Sequence, residues 1–116
     1  MNLNVVVIGG NLTKDIELRY TPSGTAVANL SLALNHFYKQ GEERKQEVSY
    51  IEVVVFGKTA EACNQYLSKG RPVVVEGRLK QESWQDKEGK KHYRVKVIAN
   101  SVQFVSKNED NTQGQS

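Results

Sequence analysis

Apolar and polar residues alternate along much of the chain in short segments, which are separated by Gly, Pro and charged residues. The clearest alternation follows residue 26, where every second position is apolar and the positions between are small or polar. A period of two is that of a β-strand with one buried face, so a strand is predicted to run to Asn35. Its core positions are Ala28, Leu30, Leu32 and Leu34.

Other segments rich in Val, Ile and Leu are also predicted to be strands. They lie at about 4–12, 17–20, 48–56, 72–84 and 90–99, and a short extension at 102–105 closes the sheet. Residues 39–47 are polar and charged, and are predicted to form a long mobile loop. Gly9 and Gly10 are predicted to form a bend or bulge. The pattern predicts an all-β domain with one helix.

The helix is predicted at residues 59–67, where the apolar period changes from two to that of a helix. Ala60, Cys63 and Leu67 fall on one stripe. Thr59 is suited to cap the first turn, and Gly70 is suited to the exit of the chain from the helix.

The first strand contains a run, Val5 to Ile8, that is apolar on both faces. Such a run is usually buried on both sides. The core accounts for one side, and a subunit interface is one candidate for the other.

The last hairpin carries the chain's only tryptophan on a polar face. Leu79, Gln81 and Ser83 share one face, with Tyr93, Val95 and Val97 opposite them. The other face carries Arg78, Lys80, Glu82 and Trp84, with Lys90, His92, Arg94 and Lys96 on the returning strand and a turn at 85–89. Trp84 is therefore either a cross-strand aromatic that covers the hairpin or the rim of the core, or a ring exposed for a ligand.

Length and charge restrict the class of protein. A chain of 116 residues fits one domain, and the net charge of +3 permits a polyanionic partner without requiring one. Residues 1–105 are predicted to form the domain and 106–116, which lack apolar residues, a disordered polar tail. The single Cys63 favours a reducing cytoplasm, and neither a signal peptide nor a membrane span is predicted.

Catalytic motifs are weak in this sequence. Gly57-Lys58-Thr59 resembles the end of a phosphate-binding loop, but Glu52 stands where that motif requires glycine. His36 and His92 have no acid or Cys at metal-ligand spacing. We therefore predict no enzymatic activity, no metal and no cofactor.

Aromatic and basic residues suggest a binding function instead. Four aromatic residues are predicted to lie outside the core: Tyr38, Tyr50, Phe56 and Trp84. Cations accompany them in sequence or on the same face: Lys58, Lys69, Lys80, Lys87, Arg94 and Lys96. Unpaired bases stack on aromatic rings and phosphates attract Lys and Arg, so the pattern predicts binding of single-stranded nucleic acid without base-edge recognition.

The order of elements, with a helix between the third and fourth long strands, is that of an OB-fold, a five-stranded Greek-key barrel. Over residues 1–105 the sequence resembles the bacterial single-stranded DNA-binding proteins. The similar segments are VIGGNL at 7–12, DIELRY at 15–20 with Pro22 and Gly24, AVANLSLA at 26–33, VVVFGK at 53–58, YLSKG at 66–70, VEGRL at 75–79, and Trp84 before Asp86.

The resemblance implies a cytoplasmic, nucleoid-associated homotetramer, often assembled through first strands, that wraps single-stranded DNA during replication, recombination and repair. It assigns base stacking to Tyr38, Tyr50, Phe56 and Trp84, and phosphate contacts to Lys58 and Lys69. The pattern of the last hairpin adds Lys80, Lys87 and Arg94 to these predicted phosphate contacts.

This sequence departs from the family pattern at several positions. Tyr replaces a frequent Trp at Tyr38 and Tyr50, which offers a smaller stacking surface. Thr13 and Ile16 stand where Gly and Pro are common. The acidic tip with a final Pro-Phe, through which family members recruit replication and repair proteins, is not found in 106–116.

Two alternatives remain open at the level of sequence. One is an OB-fold adaptor of the primosome type, which binds protein partners and holds single strands weakly. The other is a nuclease-like OB-fold enzyme that uses Asp15 and Glu17 with a metal.

Overall fold

Six strands and one helix follow one another in the computed structural model, which describes residues 1–105. The elements are β1 (Val6–Leu12), β2 (Glu17–Tyr20), β3 (Ala26–Gln40), β4 (Glu43–Phe56), α1 (Gly57–Tyr66), β5 (Pro72–Gln85) and β6 (Lys91–Phe104). The all-β prediction with one helix is confirmed. The predicted tail at 106–116 lies outside the described residues.

The five long strands close into a barrel in the order β1-β5-β6-β4-β3, and β2 pairs with β3 alone. β1 joins the two ends, because it pairs with β5 over residues 6–11 and with β3 at Asn11 and Leu12. β4 and β6 meet in a short parallel pairing at Val53 with Val97 and Val54 with Ile98. Since α1 lies between the third and fourth barrel strands, this is the predicted OB-fold.

The barrel interior is filled by alternate residues of the long strands. Leu30 and Leu32 of β3 are fully buried, and Leu34 is half-buried, as the alternation predicts. Val53 and Val55 of β4 face them from the next strand. Burying each such side chain contributes about 1.5–3 kcal/mol, so these rows hold the strand register.

Helix α1 packs on the barrel through the predicted stripe. Ala60 and Cys63 are fully buried, and Leu67 directly after the helix is buried with them. Burial raises the pKa of the Cys63 thiol to about 11, so it remains protonated at neutral pH and acts as a small apolar group. The prediction that Thr59 caps the helix is wrong, because the helix begins at Gly57 and Thr59 lies within its first turn.

Two hairpins extend from the barrel, and the first of them corrects the predicted loop at 39–47. β3 and β4 remain paired as far as Gln40 and Glu43. Gly41 has a φ of 65° and is the first of the two turn residues, the position that type II′ turns reserve for glycine. The turn matches the twist of the strands, so a charged segment forms a regular hairpin.

The register of the barrel strands shifts at Gly77 rather than at the predicted bulge. β5 and β6 change register between Glu76 and Gly77, and a side chain on Gly77 would overlap the carbonyl oxygen of Ile98. The predicted bulge at Gly9 and Gly10 is absent from β1, which pairs with β5 there without a shift. Gly10 instead allows close approach, because a Cβ there would lie 2.6 Å from the carbonyl oxygen of Ala33.

The run at the start of β1 is covered on one side only. Val6 and Ile8 are half-buried against the barrel, whereas Val5 and Val7 are 62% and 65% exposed. Within residues 1–105, no strand pairs with positions 6–10 of β1 on the side away from β5. Residues 1–105 therefore leave this apolar face uncovered.

Candidate nucleic-acid interface

One outer face of the barrel carries most of the predicted binding residues. In the second hairpin, Trp84 pairs with His92, Glu82 with Arg94, and Lys80 with Lys96, so all six side chains project to the same side. The pairing of Val54 with Ile98 extends that side onto β4. We call it the outer face, and its β4 residues are Tyr50, Glu52, Val54 and Phe56.

The Trp84 ring lies on this face and is 46% exposed. It stacks on the His92 ring, with centroids 5.5 Å apart and planes at 20°. The Arg94 guanidinium carbon lies 5.6 Å from the ring centre, within cation–π distance. Trp84 therefore packs against the neighbouring strand, as the first of the two alternatives for this residue predicted. It also retains exposed surface on which a ligand could stack.

Tyr50 and Phe56 place two more rings on the outer face. Their side chains are 70% and 47% exposed. They lie six residues apart on β4, which corresponds to about 20 Å along an extended strand. The rings therefore offer separate platforms along one line rather than a single cluster.

Tyr38 differs from the other three predicted rings. It pairs with Lys45 and has the parity of the core-facing leucines of β3, so it projects from the side of the hairpin opposite to Tyr50. Its ring stacks on His36, with centroids 6.2 Å apart. The four predicted aromatics do not share one face.

Phe37 is an aromatic on the outer face that the sequence interpretation missed. It has the parity of Ala33, the partner of Tyr50, and is 52% exposed. The Arg44 guanidinium carbon lies 4.9 Å from its ring centre. The sequence offers no clear signal for its face, because the apolar alternation of β3 ends near Asn35.

The predicted cations fall into three groups. Lys80 and Arg94 lie on the outer face near Trp84, and Lys87 lies in the turn at the tip of the same hairpin. Lys58 is in the first turn of α1, two residues after Phe56. Lys69 lies in the segment after α1, where its backbone N–H donates to Asp15 Oδ1 at 2.9 Å.

Carboxylates already engage part of this positive charge. Arg94 lies 3.2 Å from Glu82 Oε1 and 3.5 Å from Glu52 Oε1, and Lys96 Nζ lies 2.6 Å from Glu82 Oε2. The hydrogen bond from Lys96, followed by that from Arg94, lowers the pKa of Glu82. The carboxylate is ionised at neutral pH, so a phosphate must compete with it for these cations.

Asp86 organises the turn that presents Lys87. Its Oδ1 accepts hydrogen bonds from the N–H groups of Glu88 and Lys90, both at 2.9 Å, and its Oδ2 lies 2.8 Å from His92 Nε2. The bond to His92 is the largest cause of the lowered pKa of Asp86. A charged Asp86 therefore fixes the turn next to Trp84.

Of the two carboxylates considered for catalysis, Asp15 has a structural contact. Asp15 Oδ1 accepts a hydrogen bond from the backbone N–H of Lys69, which joins the loop between β1 and β2 to the segment after α1. Among residues 1–105, no three His, Cys, Asp or Glu side chains are grouped closely enough to hold a metal ion. The same part of the chain contains no helix long and apolar enough to cross a membrane.

A closed five-stranded barrel that presents aromatic rings and cations on one outer face places the protein in the OB-fold class. More particularly, the chain belongs to the single-strand binding protein family, whose model matches residues 3–105.

Similar proteins agree with this family. A single-stranded DNA-binding protein of Helicobacter pylori is 49% identical over 111 residues, covering 95% of this chain and 62% of the relative. Another, from Borreliella burgdorferi, is 42% identical over 115 residues, covering 98% and 77%. A solved Plasmodium falciparum SSB complex with ssDNA superposes with a TM-score of 0.83 at 25% identity, covering 91% of this chain and 97% of that one. The chain spans about 62% of the length of the Helicobacter relative.

Proposed function

We propose that this chain binds single-stranded DNA without overall sequence preference and protects it during replication, recombination and repair. The observation that carries the proposal is the row of exposed rings on one outer face, Tyr50, Phe56 and Trp84, with cations between and beside them. The names of the relatives, and the single-stranded DNA in the complex of the structural neighbour, support the same function.

The proposed mechanism needs no chemical step. Each base that stacks on an aromatic ring contributes about 1–3 kcal/mol, and the phosphates pair with Lys and Arg. Duplex DNA keeps its base faces stacked inside the helix, so the rings favour single strands. Tyr38 and Phe37 extend the surface along the first hairpin, while Lys58, Lys69, Lys80, Lys87 and Arg94 supply the phosphate contacts.

The proposal includes a homo-oligomer, as a tetramer, located in the cytoplasm on nucleoid DNA. Assembly through first strands is supported by exposed Val5 and Val7, and by the side of β1 next to them that residues 1–105 leave unpaired. Copies joined in this way would present several outer faces to one strand, so that a single DNA molecule wraps the assembly. Replication and repair proteins are the partners expected at such DNA.

The proposal is tested by titrating the protein with oligo-dT and following tryptophan fluorescence. Because Trp84 is the only Trp, any quench reports on one ring. We expect quenching by oligo-dT, little response to a duplex of equal length, and an affinity that falls as salt rises. Absence of both quench and salt dependence would contradict the proposal.

The Trp84→Ala variant separates binding from stability. We expect it to weaken oligo-dT binding by about 1–3 kcal/mol, measured by anisotropy of labelled DNA, while its urea midpoint stays close to that of the unchanged protein. A variant that unfolds instead would show that the ring belongs to the core.

A further inference from the structure

A cleft on the outer face lies between two of the stacking platforms. It has a volume of about 290 Å³, and seven residues line it: Lys14, Glu17, Asn29, Leu30, Ser31, Glu52 and Arg94. Glu52 lies on β4 between Tyr50 and Phe56 and projects to the same side. A strand whose bases stack on those two rings therefore passes over the cleft.

The polar groups of the cleft are held in a fixed arrangement. Arg19 Nη1 donates to Asn29 Oδ1 at 3.0 Å, which sets the orientation of the amide. Asn29 Nδ2 then donates to Glu52 Oε2 at 2.8 Å. Arg94 Nη1 lies 3.5 Å from the other oxygen, Glu52 Oε1. The carboxylate is therefore oriented from both sides before any ligand arrives.

Glu52 keeps capacity to accept further hydrogen bonds. A carboxylate offers about four lone-pair sites. Asn29 and Arg94 engage one on each oxygen, and the side chain is 31% exposed. What the cleft presents to a base is an oriented anionic acceptor, which is complementary to a donor on the base edge.

We propose that Glu52 accepts a hydrogen bond from the exocyclic amino group of a base in this cleft, so that the subsite favours amino-bearing bases, cytosine above all, over thymine. Carboxylates accept from the cytosine 4-amino group, whereas thymine has a carbonyl oxygen at that position, which an anionic oxygen repels. The inference rests on the proposed binding of single-stranded DNA. A preference at one subsite leaves binding along the whole strand tolerant of sequence.

The test compares two labelled oligonucleotides of equal length. One is oligo-dC, and the other carries 2-pyrimidinone, which is cytosine without its 4-amino group. For the unchanged protein we expect oligo-dC to bind roughly tenfold more tightly, since a hydrogen bond to a charged group has about that value. The measured quantity is the ratio of the two dissociation constants.

Glu52→Gln removes the anionic acceptor while its carbonyl oxygen keeps the bond from Asn29. We expect the ratio to fall by about threefold or more, because a neutral acceptor binds the amino group roughly half as strongly. Glu52→Asp keeps the charge but withdraws it from the cleft, and should also lower the ratio. Circular dichroism checks that each variant retains the fold.

Glu82→Gln is the matched control. Glu82 also lies on the outer face and also engages Arg94, but it does not line the cleft. Neutralising it changes affinity for both oligonucleotides alike and leaves the ratio unchanged.

The outcomes distinguish the inference from the proposed function. A ratio that Glu52→Gln leaves unchanged, or that Glu82→Gln lowers equally, overturns the cytosine subsite while DNA binding stands. If the unchanged protein binds neither oligonucleotide, the proposed function fails and the subsite fails with it. A ratio that falls only in the Glu52 variants supports the inference.

Discussion

The surroundings of Trp84 explain how a large ring can remain half exposed and still be ordered. His92 stacks on it from the neighbouring strand, and Arg94 lies within cation–π distance. A ring that is already held in one orientation loses little conformational freedom when a base stacks on it. Under the proposed function, the contacts that fix Trp84 would therefore favour base stacking.

Phe37 and Tyr38 provide a direct test of which hairpin face contacts DNA. Phe37 shares the face of Tyr50, whereas Tyr38 projects from the opposite side. We expect Phe37→Ala to weaken oligo-dT binding by about 1–3 kcal/mol, and Tyr38→Ala to weaken it less. Fluorescence anisotropy with one labelled oligonucleotide measures both variants.

Each of these variants serves as the control for the other, since both side chains are exposed and adjacent in the chain. Neither should change the urea midpoint appreciably. An equal loss of affinity in the two variants would mean that the strand contacts both sides of the hairpin.

The sequence predicted the face on which Trp84 lies but not that of Phe37, because the two residues differ in the sequence pattern around them. Around Trp84 both strands of the hairpin alternate clearly, so their parity can be counted from the turn. Beyond Asn35, β3 has no apolar alternation, because no core lies beneath it. Parity there depends on the hairpin register, which is set by the turn at Gly41.

At the scale of elements, the register shift at Gly77 lies close to the point where the second hairpin leaves the barrel, and the extra residue of the bulge is Asn100 on β6. Residues before Gly77 on β5 pack in the core, and from Leu79 onward the hairpin side chains are mostly exposed. A bulge bends the strand that contains it and increases its twist. The second hairpin owes its direction to this point, and so does the position of Trp84 at its far end.

Gly77→Ala should therefore destabilise the fold. Its added methyl group would overlap the carbonyl oxygen of Ile98, which lies in the backbone of β6 and cannot rotate away. We expect a loss of about 1–3 kcal/mol in the free energy of unfolding, measured by urea denaturation.

Gly9→Ala is the comparison for this variant. A methyl group at Gly9 would meet Val74 Cγ2 at 3.7 Å, an ordinary packing distance. Its urea midpoint should stay close to that of the unchanged protein. Equal stability of the two variants would show that the β5–β6 register adjusts without cost.

The extent of the elements was only partly predictable. Strands with a buried face, such as β3 with Leu30 and Leu32, could be predicted from the alternation of apolar and polar residues. The register shift at Gly77 is visible in the sequence of β6, since Val95, Val97 and Ala99 occupy odd positions whereas Val102 and Phe104 occupy even ones. The tip of the first hairpin, residues 39–47, contains only polar residues and Gly, so its composition is that of a loop although its strands are paired.

At the scale of the whole molecule, β1 both closes the barrel and leaves a surface uncovered. It pairs with β5 and β3, which joins the ends of the sheet. Val7 of β1, and Val5 just before the strand, are left exposed by residues 1–105. The sequence indicated that the apolar run from Val5 to Ile8 is buried on both faces. The pairing of β1 with both β5 and β3 was not predicted, because it depends on residues distant in the chain.

Val7→Lys should reduce the mass of the assembly. A charged side chain at the centre of a buried interface is costly, whereas in the free chain this position is 65% exposed and tolerates a lysine. We expect sedimentation to show an oligomer for the unchanged protein and a folded monomer for the variant.

Tyr66→Lys is the control, because Tyr66 is also a large exposed side chain but lies on α1, away from β1. It should keep the oligomer mass. A Val7 variant that sediments like the unchanged protein would place the subunit interface elsewhere.

The first hairpin has one further consequence. From Asn35 to Tyr50 every residue is exposed, so little buried surface opposes the separation of its two strands. We expect its amide protons to exchange with solvent through local opening, at a free energy well below that of global unfolding. Trypsin has Lys39, Arg44 and Lys45 as cleavage sites in the same segment. Under the proposed function, we expect a bound strand to cover this arm and to slow both isotope exchange and proteolysis there.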